Sequence, residues 1–187
     1  CVKDVIETID MIAPFDLAES WDNSGLQAGD TLWPVQRILV CLDVTLAVME
    51  AAVDEQCDMV ISHHPLMMSP EKSLDFSRMP GSVICMAARE KIAVVSAHTN
   101  LDKAQDGLND YFAMKAGIHC DGPFYLDAGF PEGARIGIGR LGRPERPVSV
   151  GQLVEDLKQR FNIQNLRVAG NMDLEVTSVA LCTGSGG

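Results

Sequence analysis

Three apolar runs of strand length, at residues 37–45 (RILVCLDVT), 59–65 (MVISHHP) and 92–102 (IAVVSAHTNLD), are separated by two segments of helical pattern, LAVMEAAVDEQ and GSVICMAAREK. A strand can pair with a parallel neighbour only through a crossover of a dozen or more residues, ordinarily a helix. The alternation therefore predicts a mostly parallel sheet with right-handed crossovers. Because the runs are apolar throughout rather than alternating, both faces of that sheet should be covered. An N-terminal helix is predicted over residues 3–12, where Val5, Ile6, Ile9 and Ile12 share one face and Pro14 stops the pattern. WDNSGLQAGD, at 21–30, reads as a loop rich in Asp, Asn and Gly.

A further helix is predicted from Asp106 or Gly107 through GLNDYFAMKAGI, after which the texture changes. ARIGIGRL suggests a short strand, VGQLVEDLKQRF a helix capped by Ser149, and LRVAG and EVTSVALCT two more apolar stretches. The expected division is a first α/β domain over 1–122 and a second over 123–187, interlinked and both built on mostly parallel sheets. A strand entering a glycine-rich turn ordinarily feeds a helix. None follows GSGG, and the chain opens on Cys1 rather than Met, so the pattern reads as part of a longer one.

Composition narrows the function. The formal charge is −11 and no Lys/Arg cluster is present, which argues against nucleic-acid binding. No apolar run approaches the roughly 20 residues needed to cross a bilayer, so no membrane partner is expected. Six cysteines (Cys1, Cys41, Cys57, Cys85, Cys120 and Cys182) form no C-x-x-C pair, lie mostly in apolar runs and follow no signal peptide, the pattern of free thiols in a reducing, cytoplasmic protein.

Ligands of open parallel sheets gather beyond the carboxyl ends of the strands. Asp43, the pair His63 and His64, and the run from His98 to Asp102 all fall there. Neighbouring side chains on an extended strand point to opposite faces, so His63 and His64 can serve one site only if the chain turns, and Pro65 supports a turn. Asp102 adds a carboxylate able to bridge ions, with Thr99 and Asn100 placed to orient it; alternatively Asn100 and Asp102 cap a nearby helix. Asp22 and Asn23 read either as the mouth of the site or as turn formers, Asp43 as a neighbour of the ligands or a helix cap, and His119 as a surface residue.

WDNSGLQAGD, LDVT, SHHPL and SAHTNLDKAQDGLND resemble, in order, the motifs of the Nif-three-like dinuclear metal-centre proteins, the YbgI type often labelled GTP cyclohydrolase I type 2. RIGIGRLGRP and VALCTGSGG resemble that family's second domain. The resemblance implies a two-domain α/β subunit with two divalent metal ions (zinc, iron, manganese or nickel) between the domains, and a ring-shaped homohexamer. His63, His64 and Asp102 match metal ligands. His98 matches a histidine near the site; four residues before Asp102, it reads either as a catalytic proton shuttle or as a partner that orients a ligand. The family's remaining ligands come from a C-terminal His-x-x-x-Glu stretch that lies beyond this sequence, and three side chains cannot close two coordination spheres. The implied function is a metal-dependent hydrolase of a nucleotide or related small-molecule substrate. The alternatives are a non-catalytic metal-binding, chaperone or regulatory protein, and a scaffold whose metals join domains.

Overall fold

The computed structural model describes residues 1–126 and 136–185. The first two residues of the strand expected at ARIGIGRL, and the last two of GSGG, lie outside the described residues. Contacts divide the chain into two compact units, Cys1–Leu101 and Asp102–Gly187.

The first unit contains α1 (Val2–Ile12), β1 (Gly25–Ala28), β2 (Ile38–Cys41), α2 (Leu46–Asp54), β3 (Met59–Ser62), α3 (Gly81–Glu90) and β4 (Ala93–Ser96). Its sheet has the order β1-β4-β3-β2. The pairs β2/β3 and β3/β4 are parallel, with α2 and α3 as the crossovers, as the alternation of patterns predicts. Successive residues of β3 and β4 point to opposite faces. Val60 and Val94 join Met49, Ala52, Val83 and Ala87 under α2 and α3, whereas Met59, Ala93 and Val95 pack with Val2 and the Val5, Ile6 and Ile9 face of α1. Helices on both faces explain why these strands carry no polar alternation.

In two places the chain departs from the pattern. WDNSGLQAGD is not all loop: its second half forms β1, an antiparallel edge strand on β4. The four residues from Gly25 (φ 111°) to Ala28, just before Gly29 (φ 118°), are too few to show a strand period. A Cβ on Gly29 would lie 2.9 Å from Ala93 Cα, so glycine lets the edge strand approach. The run 92–102 is also not one strand. It leaves the sheet after Ser96 and turns into α4 (Thr99–Lys103). The buried Asn100 side chain drives the turn, its Oδ1 accepting from the His98 amide at 2.8 Å and its Nδ2 donating to the Ala13 carbonyl at 2.7 Å.

In the second unit α5 (Leu108–Ala116) leads to β5 (Ile118–Gly122), β6 (Tyr125–Leu126), β7 (Gly137–Ile138), β8 (Arg140–Pro144), β9 (Val148–Ser149), α6 (Val150–Phe161), β10 (Glu175–Val176) and β11 (Val179–Leu181). Here the expectation of parallel pairing fails. The three-stranded sheet β11-β8-β5 is antiparallel, as are the β6/β7 and β9/β10 pairs. No helix lies among the described residues between β5 and β8, and antiparallel neighbours need none. α5 and α6 contribute Ala113, Ala116, Leu153, Leu157 and Phe161 to a core shared with Ile118, Val179 and Leu181. Ser149 caps α6 as expected, its hydroxyl accepting from the Gln152 amide at 3.2 Å, whereas LRVAG forms no helix or strand. All six cysteines are free.

Candidate metal centre

Ser62 and Ser96 are register partners in the parallel pair β3/β4, so the two chains leave the sheet side by side at its carboxyl edge. The turn required of His63 and His64 is built there. Their amides donate to the Cys41 and Leu42 carbonyls at 3.2 and 2.9 Å, and the Ser62 hydroxyl donates to the His64 carbonyl at 2.8 Å. The chain is thereby pulled off the strand path, and both imidazoles come to one side, joined by His98 from the end of β4. Ring centroids lie 5.1 Å apart for His63 and His64, 5.1 Å for His63 and His98, and 5.6 Å for His64 and His98.

Each ring is held at Nδ1 by an oxygen acceptor: His63 by the Ala97 carbonyl at 3.0 Å, His64 by Asp43 at 2.7 Å, and His98 by Asp22 at 2.8 Å. An acceptor at Nδ1 keeps the proton of a neutral imidazole there and places the lone pair on Nε2, the arrangement that prepares histidine to bind a cation. One nitrogen of each ring lies within 4.8 Å of the others, a group able to hold a metal ion. That spacing puts a common centre within about 3 Å of every nitrogen, so movements of about 1 Å reach a metal–imidazole distance of about 2.1 Å.

Asp22 is the most constrained group beside the cluster. Its side chain is 0% exposed. It accepts from the Thr99 hydroxyl and amide, the Ser24 hydroxyl, the Asn23 amide and His98. Burial alone would push its pKa up, but hydrogen bonds from Thr99, His98 and Ser24 outweigh it and hold the carboxyl at about 2. Asp22 is thus more than a turn former. Asp43 orients His64 and does not cap α2, whose cap is the Thr45 hydroxyl. Thr99 and Asn100, expected to orient Asp102, instead brace the His98 loop through Asp22 and Ser24.

Asp102 stands on α4 and opens the second unit. Within that unit the Thr183 hydroxyl donates to its Oδ1 at 2.7 Å, and Asn109 ties the same segment by donating to the Asp102 carbonyl at 2.9 Å and accepting from the Thr183 amide at 2.8 Å. Burial, then the Asp102 charge, raises the Cys182 thiol. Asn109 and Thr183 carried no signal in the sequence, because their partner lies 7 and 81 residues away. His119 is exposed, as expected.

A family model described as Duf34/NIF3 (NGG1p interacting factor 3) matches residues 1–187. The GTP cyclohydrolase 1 type 2 homolog of Clostridium acetobutylicum is 35% identical over 185 residues, which are 99% of this chain and 68% of that protein. The crystal structure of a Staphylococcus aureus hypothetical protein is similar with a TM-score of 0.88 at 26% identity, over 99% of this chain and 72% of the other. A Bacillus cereus protein related to NIF3 shares the fold, with a TM-score of 0.84 at 22% identity over 99% of this chain and 77% of its own.

Proposed function

Because the chain belongs to the Duf34/NIF3 family, we propose that it holds two divalent transition-metal ions through His63, His64 and Asp102 and acts as a metal-dependent hydrolase of a nucleotide or related small molecule. One observation carries the metal reading: three imidazoles converge with every Nδ1 already engaged by an oxygen. Imidazole nitrogen with carboxylate oxygen suits zinc, iron, manganese and nickel alike, so the donor set fits the group. The hydrolase reading takes its support from the name of the Clostridium acetobutylicum relative. The remaining coordination positions and the homohexamer rest on the family resemblance alone.

Bound ions supply Lewis acidity toward water and toward the negative charge that develops during hydrolysis. The chain's own residues do the rest. Ala97 and Asp43 aim His63 and His64, and Asp22 holds the Nδ1 proton of His98, the third ring of the cluster, so that its Nε2 lone pair is left to accept a proton or a metal ion.

The test is metal analysis of the purified protein with His63→Ala and Asp102→Ala variants, followed by assay of GTP hydrolysis on the loaded form. Near two ions per subunit, lost in both variants, with turnover tracking occupancy, is the expected result. Full occupancy without turnover overturns the hydrolase and leaves a metal-binding protein. Failure to bind metal overturns the whole reading.

A further inference from the structure

Beside the histidine cluster lies an open cleft of about 390 Å³, lined by Trp21, Asp22, Asn23 and residues 67–70. Its two walls are pinned to each other. Asn23 Nδ2 donates to the Met67 carbonyl at 2.7 Å and to Gln27 Oε1 at 3.3 Å. The same Gln27 oxygen accepts from the Met67 amide at 3.3 Å, and Gln27 Nε2 donates back to the Asn23 carbonyl at 2.6 Å. The buried Gln27 therefore holds the cleft ready-made, and a ligand need not order it.

What the cleft offers is decided by which of its polar groups are already spent. Both oxygens of Asp22 accept hydrogen bonds and its side chain is fully buried. Asn23 Nδ2 is committed to the Met67 carbonyl and to Gln27 Oε1. No Lys or Arg is among the lining residues, so a phosphate finds no counter-charge there. The remaining surface is the Trp21 indole, 60% exposed, with Met67, Met68, Pro70 and one small polar side chain, Ser69. An indole face and two polarizable thioethers attract a flat π-system, and they offer a phosphate no counter-charge. Trp21 also meets His98 edge-on, with centroids 6.1 Å apart, so a ring stacked on the indole lies next to the cluster.

We propose that this cleft binds an uncharged heteroaromatic ring, stacked on Trp21 between it and the two methionines, as the part of the substrate that positions the reacting bond at the histidine cluster. The role as substrate rests on the hydrolase reading; the binding of the ring does not.

The test uses the full chain, metal-free and zinc-loaded, with its methionine methyls labelled for NMR. Guanosine is the probe and ribose 5-phosphate the control that lacks a heteroaromatic ring. Guanosine should shift the Met67 and Met68 methyls saturably through its ring current while those of Met49 and Met59, fully buried in the core, stay still. Trp21→Ala should weaken the binding roughly tenfold or more, and Trp21→Phe should restore most of it. Unchanged Met49 and Met59 signals show that each variant is folded. No shift with guanosine, equal affinity in Trp21→Ala, or an equal response to ribose 5-phosphate overturns the proposal. Zinc binding followed on the same samples separates the two readings: zinc bound without ring shifts sinks only the cleft, and ring shifts without zinc sink only the metal centre.

Discussion

Asp22 shows how much one carboxylate can organise. It orients His98, takes both donors of Thr99 and receives Ser24. In Asp22→Asn one of those donors meets an amide NH₂. Its folded pKa of about 2 lies below the ordinary 3.8, so the ionised group adds stability that is fully present above pH 3.8 and lost as pH falls through 2. Urea melts of the wild type and Asp22→Asn should differ by about 2 kcal/mol from neutrality down to about pH 4, and the gap should close toward pH 2. Asp43 acts differently, because it sits at the surface and touches His64 alone among the three histidines. Asp43→Ala should leave stability nearly unchanged yet weaken zinc binding roughly 10- to 100-fold in competition with a chromogenic chelator. The sequence named both residues as candidates, Asp43 because it stands at a strand end and Asp22 because it lies in the Asp- and Asn-rich loop at 21–30. It left their roles open, since a carboxylate in a turn and one behind a histidine look the same until the partner is known.

At the level of elements, the first unit was largely legible. Apolar runs separated by helices have one economical arrangement, and β2, β3 and β4 adopt it, although the edge strand β2 leaves Ile38 and Val40 exposed where both faces were expected to be covered. The second unit was not, because its strands are two to five residues long and its order depends on long-range pairs. Arg140 is the clearest of these. It is completely buried in β8, forks onto Asp110 of α5 at 2.9 and 2.8 Å, and donates to the carbonyls of Ala104, Gly137 and Gly139. Nothing in RIGIGRL marks that arginine as interior. Arg140→Ala takes the bidentate cation from the largely buried Asp110 and a donor from three carbonyls, and should cost about 3–5 kcal/mol in chemical denaturation. Arg140→Lys should recover little, because an ammonium cannot reproduce the planar fork.

For the molecule as a whole, a metal ion held by the cluster would be linked to folding, because the cluster joins β3 to the turn after β4 and does not exist in the unfolded chain. Zinc at one hundred times its dissociation constant should add about 2.7 kcal/mol, or about 10–20 °C in the melting transition of the unit that carries the histidines, and His63→Ala should abolish the shift. The family and the parallel core follow from the sequence by itself, since burial on both faces and adjacent histidines at a strand end are local, periodic signals. So does the nomination of His63, His64, His98 and Asp102. Only the tertiary structure decided that three imidazoles share one centre, that Asp22 and Asp43 stand behind two of them, and that Asn23 and Gln27 prop open a cleft beside Trp21. Those facts depend on which atoms meet between segments far apart in the chain, 21 residues for Asp43 and His64 and 76 for Asp22 and His98. A hydrogen bond between distant segments leaves no period in the sequence for either partner to reveal.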